Sequence, residues 1–263
     1  MIPTVIVQDK ERKLSLIRQI GDIRDQVKVM APHIIVTKPL QFSMKDELPD
    51  VYDQEDIGSC VANGVCLDIK YRYKLQGVDF EPSRLFEYWN ARCLTRDCYE
   101  DTGTTIRHGM KAAKKYGICE EQYWEYETDK FAVKPGYHAF KDGLDHQALK
   151  YEAITLIQEQ IESVLFKKFP VVLGIAIYTS FLSEEVSTNG VIPMPNLYDD
   201  NERMEGGHCI TLIGYDARNN VYTARNSWGR DWGRDGNFLI PYSYIHNRDL
   251  TFDAWTVELM EME

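Results

Sequence analysis

The 263-residue sequence predicts an α+β fold of two lobes, because helix-like and strand-like patterns occupy different halves of the chain. In the first half, apolar residues recur at spacings of three or four, as in a helix with one buried face. In the second half, short apolar runs rich in β-branched and aromatic residues indicate a mostly antiparallel sheet. Because sites tend to lie where lobes meet, we expect one in the cleft between them.

Residues suited to helix ends set the limits of four predicted helices in the body of the chain. Ser83 is a favourable N-cap, and Gly77 and Gly117 are natural C-terminal stops. The helices are expected at residues 60–76, 83–93, 105–116 and 154–169. The strands are expected at residues 171–178, 208–215, 221–226, 237–241 and 255–260.

Residues 1–40 form an N-terminal extension with a pattern of its own. Apolar side chains recur there among many charges at spacings of three or four, namely Leu14, Ile17, Ile20, Ile23 and Val27. This spacing predicts an amphipathic helix. Such a helix would bury its apolar face against the body of the protein.

The composition argues against several classes of function. A net charge of −11 and a pI near 5.1 disfavour a nucleic-acid partner. No run approaches the ~18 apolar residues of a membrane span, so no membrane partner is expected. The apolar stretch at residues 2–7 is too short for a secretory signal.

The six cysteines do not have the spacing of metal ligands. We therefore expect neither a metal site nor a cofactor. A disulfide between Cys93 and Cys98, or from either of them to Cys119, remains open, because connectivity does not follow from spacing alone.

A predicted hairpin brings together three chemically informative residues. The runs HCITLIGY (208–215) and VYTARN (221–226) flank DARNN, which is a good turn composition. A hairpin centred on Arg218 places His208 opposite Trp228, with Asn226 two residues away. The stretch QEDIGSCVAN (54–63) supplies a fourth residue, Cys60, at the start of a helix.

These residue types suit nucleophilic catalysis by a thiol. A free thiol has a pKa of about 8.5, and a helix N-terminus stabilises the thiolate. His208 could pair with that thiolate and later protonate a leaving amine, and Asn226 could orient its imidazole. The Gln54 amide and the backbone N–H of Cys60 are candidate donors to an oxyanion.

The same residues resemble the motifs of papain-like cysteine peptidases. Residues 54–62 resemble the family's nucleophile segment, with glutamine six residues before the cysteine. Gly206-Gly207-His208 resembles the histidine strand in the glycine-rich form seen in cathepsin B. Residues 226–229 (NSWG), followed by Trp232-Gly233 and Gly236, are similar to the family's asparagine motif. Weaker similarity covers most of residues 40–260.

The resemblance implies a papain-like domain at residues 41–263, with a helical lobe at roughly 55–150 and a β-barrel-like lobe at roughly 151–263. The active site lies in the cleft of such a fold. The family usually has tryptophan directly after the nucleophile and often a cysteine three residues before it, whereas this chain has Val61 and Ile57 at these positions. With these two differences the chain resembles a microbial or viral branch of the family. An intracellular or virion-associated protein is therefore expected rather than a secreted one.

The resemblance also assigns substrate-binding residues: Gly103, Ile106, Gly206, Gly207, Trp228 and Ala254. Of these, Ile106, Gly206 and a residue near Ala254 would line the pocket for the side chain two positions before the scissile bond, and Gly103 would hold the substrate backbone. A small, uncharged floor at Ala254 would accept bulky apolar groups and offer arginine no partner.

The function expected from these motifs is that of a cysteine endopeptidase, acting through a thiolate–imidazolium pair and an acyl-enzyme on peptide or protein substrates. The paired histidines of cathepsin B's occluding loop have no equivalent, which favours endopeptidase over carboxydipeptidase action. Two other classes remain, a catalytically silent binding module and an acyl transferase on the same scaffold. Residues 1–40 would be either a structural arm or a short inhibitory prosegment. The sequence leaves the oligomeric state open.

Overall fold

The computed structural model describes residues 2–19, 21–22, 25–28, 38–95 and 98–260. Within these ranges the helices are α1 (Cys60–Leu75), α2 (Arg84–Cys93), α3 (Ile106–Tyr116), α4 (Tyr137–Gly143), α5 (Gln158–Phe166), α6 (Glu184–Asn189) and α7 (Tyr242–Ile245). The strands are β1 (Thr4–Val7), β2 (Lys10–Lys13), β3 (Val27–Lys28), β4 (Gln41–Ser43), β5 (Ala148–Ile154), β6 (Val171–Tyr178), β7 (Met204–Asp216), β8 (Val221–Arg225), β9 (Asn237–Pro241) and β10 (Thr251–Met260). No described helix is long and apolar enough to cross a membrane.

The helical lobe is built around α1, which is buried along most of its length and packs against α2, α3 and β7. The predicted N-cap at Ser83 is present, and Thr105 forms a second N-cap that was not predicted. The Ser83 hydroxyl accepts a hydrogen bond from the Phe86 N–H at 3.2 Å, and Thr105 does the same for His108 at 3.1 Å. A cap of this type satisfies an N–H that has no partner within the helix. The first three predicted helices are confirmed with nearly the expected bounds.

The β lobe contains one mostly antiparallel sheet with the strand order β3-β5-β10-β6-β7-β8-β9, and β4 pairs with β7. Strand β6 is buried over nearly its whole length, as its unbroken apolar run predicts. The predicted strands are confirmed, although β7 begins at Met204 and β10 at Thr251, several residues earlier than expected. Together with the helical lobe, this sheet confirms the α+β, two-lobed fold.

The fourth predicted helix is only partly present. Residues 148–154 form β5, which pairs antiparallel with β10 through Ala153 and Trp255, and α5 begins only at Gln158. Ile154 matches the helical spacing of the residues that follow it, but it lies at the end of this strand. Its partner strand is about a hundred residues away, so a local pattern does not reveal the pairing.

The extension does not form the predicted amphipathic helix in its described part. Strands β1 and β2 make a hairpin whose two turn residues, Gln8 and Asp9, have φ of 50° and 61°. Such a two-residue turn fits the twist of paired strands. The chain then continues in extended form past Leu14 and Leu16, which are both buried, while Ile17 is exposed. Ile20 and Ile23 lie outside the described residues.

Of the disulfide pairings left open by the sequence, the structure contains Cys93–Cys98, with 4.6 Å between the two Cα atoms. Cys119 is a free, buried thiol in a small apolar cluster with Phe86 and Ala139.

Candidate active site

Cys60 is the first residue of α1, and its side chain is completely buried. The loop before it is held by Asp101, whose carboxylate accepts a hydrogen bond from the Gly58 N–H at 3.0 Å. The Tyr88 hydroxyl donates to the same carboxylate. This bonding places the thiol at a helix N-terminus, where the partial positive charge favours a thiolate.

Gln54 is fastened to the segment that follows β8. Its backbone N–H donates to the Ser227 carbonyl and its side-chain Oε1 accepts from the Ser227 hydroxyl, both at 2.8 Å. Its Nε2 is therefore left as a donor, at 3.1 Å from the Ile57 carbonyl and 3.3 Å from the Lys13 carbonyl. The second of these carbonyls belongs to the extension.

His208 and Asn226 are brought together by the β7–β8 hairpin, which has the predicted register at Thr211 and Arg225. The His208 Nε2 lies 2.8 Å from the Asn226 Oδ1, and the ring centroids of His208 and Trp228 are 4.9 Å apart. Asn226 Oδ1 also accepts from the Ser227 N–H at 2.8 Å, which fixes the orientation of the amide. A neutral imidazole here carries its proton on Nε2 and keeps Nδ1 free to accept one.

The imidazole Nδ1 is buried and has no hydrogen-bond partner among the described residues. Burial raises the pKa of the Cys60 thiol, although the Ser15 hydroxyl opposes this change. Burial also lowers the pKa of His208 to about 4, against the effect of its bond to Asn226. Both shifts favour the neutral forms of the thiol and the imidazole, so the covered site does not favour the expected thiolate–imidazolium pair.

Residues 12–17 of the extension, which we call the cleft segment, lie directly over the thiol. The Ser15 Oγ donates to the Gly58 carbonyl at 2.7 Å and lies 3.7 Å from the Cys60 Sγ. On either side of the cleft, the Leu16 N–H donates to Gly207 at 3.0 Å and the Ile17 N–H to Thr104 at 3.1 Å. The segment therefore fills the cleft above Cys60, between Gly207 and Thr104.

Three of the predicted substrate-binding residues are glycines that the cleft segment approaches closely. A Cβ atom added to Gly103 would lie 1.9 Å from the Ser15 carbonyl oxygen, and one on Gly207 would lie 2.5 Å from that of Leu16. A Cβ on Gly206 would lie 2.7 Å from the Leu14 Cβ. These distances are too short for any side chain, so glycine permits the contact.

The Leu16 side chain lies in a pocket close to Asp253. Leu16 packs in the same apolar cluster as Cys60 and the predicted Ile106. The atoms nearest to a Cβ built on Gly174 come from Leu16, Phe252 and Asp253, at 2.4, 3.3 and 3.5 Å. Ala254 instead belongs to the apolar core of the β lobe. A carboxylate thus lies near Leu16, and the assignment of Ala254 to the floor of a substrate pocket stays a prediction.

Sequence reasoning missed the residues that hold the cleft segment. The Arg12 guanidinium is buried, forms an ion pair with Asp53 and donates to the Trp228 carbonyl at 3.0 Å. Lys13 lies 2.7 Å from Asp101. Residues 10–13 (KERK) consist only of charged residues, which suggests a solvated surface. Only the tertiary fold identifies their partners.

No group of three or more histidine, cysteine or acidic side chains within the described ranges could hold a metal ion.

Comparisons with known proteins agree on one family. A family model described as papain family cysteine protease matches residues 38–250. An uncharacterized peptidase C1-like protein of Acanthamoeba polyphaga mimivirus is 36% identical over 220 residues, covering 78% of this chain and 68% of the relative. The cathepsin B-like CP3 of Giardia intestinalis is 26% identical, covering 82% of this chain and 74% of its own length.

The structural comparison gives the same result. Xylellain, a cysteine protease from Xylella fastidiosa, superposes with a TM-score of 0.86 at 31% identity, covering 93% of this chain and 95% of xylellain. The matched region includes the helix that begins at Cys60 and the hairpin of His208 and Asn226. The chain belongs to the papain family of cysteine proteases.

Proposed function

We propose that the protein is a cysteine endopeptidase in which Cys60 is the nucleophile. The observation that carries this proposal is the bond between His208 Nε2 and Asn226 Oδ1, at 2.8 Å. It leaves Nδ1 as the free base of a buried imidazole in the cleft that contains the thiol. Asn226 acts as a positioning residue that selects the useful tautomer.

The chemistry follows from these positions. His208 Nδ1 takes the Cys60 proton, and the thiolate attacks the peptide carbonyl carbon to form a tetrahedral adduct. The Gln54 Nε2 and the Cys60 backbone N–H donate to the developing oxyanion. The imidazolium then gives its proton to the leaving amine, which departs and leaves a thioester. Attack by water, with His208 as base, releases the acid and restores the thiol.

Two histidines outside the site are consistent with endopeptidase action. His146 is bound to the Tyr73 hydroxyl at 3.1 Å, and His138 packs against the ring of Tyr137. These contacts give each histidine a neighbour outside the cleft segment, in agreement with the lack of a paired-histidine motif in the sequence. Endopeptidase action is tested by cleavage of peptides blocked at both ends.

The nucleophile is tested with the Cys60→Ala variant in a chain that lacks residues 1–19, so that the cleft segment does not cover the thiol. Its folded structure should be retained, whereas peptide hydrolysis and labelling by an epoxysuccinyl inhibitor should both be lost. Cys66→Ala is the matched control, because Cys66 is a second buried thiol in the same helix and has no proposed role in the reaction. Hydrolysis by Cys60→Ala at a rate near wild type would disprove the assignment.

The two alternative functions give different results in the same assays. A silent binding module would not be labelled at Cys60. An acyl transferase would be labelled and would form an amide when a free amine is offered, while releasing little acid. The proposed hydrolase is labelled and releases acid as its main product.

We also propose that the extension inhibits the peptidase. In a substrate, the leaving amine must lie near His208, and the ring of His208 packs on Trp228. The cleft segment begins near Trp228, on the side of the leaving amine, where Arg12 donates to the Trp228 carbonyl, and it ends at Thr104. The N-to-C direction of the cleft segment is therefore opposite to that of a bound substrate. For this reason the segment does not offer Cys60 a correctly oriented peptide bond.

Deletion of residues 1–19 tests this inhibition. The deletion removes the cleft segment but keeps β3 and the ion pair between Asp25 and Arg107. Raised hydrolysis, reversed by an added peptide of residues 3–19, supports inhibition. A lower melting temperature with no gain in hydrolysis supports a structural arm. If neither stability nor hydrolysis changes, both interpretations are wrong.

The intracellular or virion-associated setting remains a proposal. A relative encoded by a virus of amoebae supports it. Fractionation of the source cells or particles, followed by detection of the protein, tests it directly.

A further inference from the structure

The two proposed oxyanion donors stand at the two ends of residues 54–60, which we call the oxyanion loop. Gln54 supplies its Nε2 from the start of this loop, and Cys60 supplies its backbone N–H from the end, where α1 begins. Both donors must point at one oxygen atom of the transition state. A misplacement of about 1 Å can slow an enzyme about 100-fold, so the relative position of the loop ends matters. A group that joins the two ends can therefore act on the reaction from a distance.

The Tyr126 hydroxyl joins these two ends. It donates a hydrogen bond to the Gln54 carbonyl at 2.9 Å, and it lies 2.6 Å from the Oγ of Ser59, the residue before Cys60. A phenol has one proton to donate, and Gln54 accepts it, so Ser59 is the donor to Tyr126. Burial raises the pKa of Tyr126, so its hydroxyl keeps this proton at neutral pH.

The hydrogen bonds continue on the Ser59 side and all run in one direction. The Asn63 Nδ2 donates to the Ser59 Oγ and to the Ser59 carbonyl, both at 3.0 Å. The Asn63 Oδ1 in turn accepts from the Arg84 Nη1 at 3.1 Å. A single chain of donors thus leads from Arg84 through the Tyr126 hydroxyl to Gln54. Removal of that hydroxyl leaves neighbours on both sides without a partner, which costs more than an exposed bond would.

The ring of Tyr126 is held independently of its hydroxyl. The Arg84 guanidinium lies 3.7 Å from the centre of this ring and 4.5 Å from that of Tyr52. Cations placed over aromatic rings in this way are attracted to them. The Tyr126 ring also packs against a small apolar cluster that contains Ile57 and Leu85. The substitution Tyr126→Phe should therefore remove the two hydrogen bonds and leave the ring in place.

We propose that Tyr126 is a positioning residue that holds the oxyanion loop, so that the Gln54 Nε2 and the Cys60 N–H reach one oxygen atom. This inference rests on the proposed peptidase function for its effect on the reaction. The oxyanion exists in the transition state and not in the bound substrate. Loss of the hydroxyl should therefore lower kcat and leave KM nearly unchanged.

The first experiment compares two reactions of Cys60 in the full chain. One is the hydrolysis of a blocked peptide, and the other is the alkylation of Cys60 by iodoacetamide, measured by mass spectrometry. Alkylation needs the thiolate but no oxyanion donors. Both reactions need Cys60 uncovered, so the opening of the cleft segment cancels in the ratio of their rate constants.

Tyr126→Phe should lower the ratio of hydrolysis to alkylation about tenfold or more, through kcat. Tyr123→Phe is the matched control, because it removes one hydroxyl from a half-exposed tyrosine of the same segment and should leave both rate constants nearly unchanged. An unchanged ratio in Tyr126→Phe would overturn the proposal. An equal fall in hydrolysis and alkylation would also overturn it, because the hydroxyl would then act on the thiol or on the fold.

A double variant tests whether Tyr126 acts through Ser59. Ser59→Ala removes the same hydrogen bond from its other partner. Tyr126→Phe with Ser59→Ala should therefore lower the ratio little more than the more damaging single variant does. Additive losses would mean that the two hydroxyls do not act through their shared bond.

A third measurement needs no activity. Backbone hydrogen exchange of the full chain, followed in a peptide that covers residues 54–60, reports how firmly the oxyanion loop is held. Exchange there should be faster in Tyr126→Phe than in wild type, and unchanged in Tyr123→Phe. Equal exchange in all three proteins would overturn the positioning role. A wild-type chain that hydrolyses no peptide contradicts the proposed function, yet the exchange still decides whether Tyr126 holds the loop.

Discussion

The proposed catalytic groups and the segment that covers them are held by different forces. Cys60, His208 and Asn226 are buried and are positioned by backbone pairing and by short hydrogen bonds within the body. The cleft segment is held by backbone hydrogen bonds to Gly207 and Thr104 and, unlike the catalytic residues proposed here, also by ion pairs of Arg12 with Asp53 and of Lys13 with Asp101. Hydrogen bonds between uncharged groups change little with salt, whereas an ion pair weakens with salt to the extent that it is exposed. The site is therefore built as a permanent structure and its cover as a removable one.

The largest expected effect comes from breaking the permanent part. With residues 1–19 removed, His208→Ala should lower kcat/KM by about 10³-fold or more, nearly as much as Cys60→Ala, because the two residues act as a unit. Asn226→Ala should cost less, since it only orients the imidazole. Steady-state kinetics on blocked peptides measure all three variants. A His208→Ala variant within a factor of a few of wild type would show that another base serves Cys60.

A smaller effect is expected from weakening the cover. Arg12→Gln in the full chain removes a buried guanidinium and leaves Asp53 without its principal partner. Loss of one member of a buried ion pair strongly destabilises the contact it holds, here the contact of the cleft segment with the body. The segment should then leave the cleft more readily, and hydrolysis should rise about tenfold or more. Progress curves with a fluorogenic peptide measure the change. Unchanged hydrolysis with an unchanged melting temperature would mean that the ion pair does not hold the segment.

The pH dependence of stability sharpens the comparison further. The pKa of His208 is about 4 in the folded chain and 6.5 when unperturbed, so the unfolded chain binds more protons between these values. His208 therefore stabilises the fold fully above pH 6.5, and this contribution is lost as the pH falls toward 4. Its full size is about 3 kcal/mol.

Denaturant unfolding of wild type and His208→Gln across pH 4–7 measures this contribution. The wild type should lose more stability on acidification than the variant. If the free energy of unfolding changed equally with pH in the two proteins, burial would not lower the pKa of His208.

The smallest effect is expected from the exposed ion pair beside Arg12. Lys10 lies 3.7 Å from Asp53 but is 56% exposed. Exposed pairs contribute about 0–1 kcal/mol, so Lys10→Gln should leave hydrolysis and the melting temperature nearly unchanged. This variant is the matched control for Arg12→Gln. An equally large effect from both would mean that the total charge of the strand, rather than one buried contact, holds the cover.

Some parts of the site are predictable because they depend on local rules. The caps at Ser83 and Thr105 are side-chain bonds to residues three positions away. The meeting of His208 and Asn226 follows from a short turn and the fixed geometry of an antiparallel pair. In each case the partners are close in sequence, so the pattern of residues contains the contact.

Other parts could not be predicted, since their partners are distant along the chain. Apolar residues at 14 and 17 match a helical period equally well, yet Leu14 is buried and Ile17 exposed in an extended chain. Ile154 likewise belongs to a strand because β10 pairs with β5. Local propensity is weak compared with such tertiary contacts.

The sequence by itself determined the family motifs, the two-lobed α+β fold and the hairpin that joins histidine to asparagine. These follow from residue types, periodicity and turn chemistry, which act over short stretches of chain. Only the tertiary structure decided that the cleft segment lies over Cys60 and that Asp253 lies near Leu16. Both depend on contacts across many residues, where one register shift or bulge changes which side chain enters a pocket. Such a bulge lies between Thr251 and Ala254 of β10.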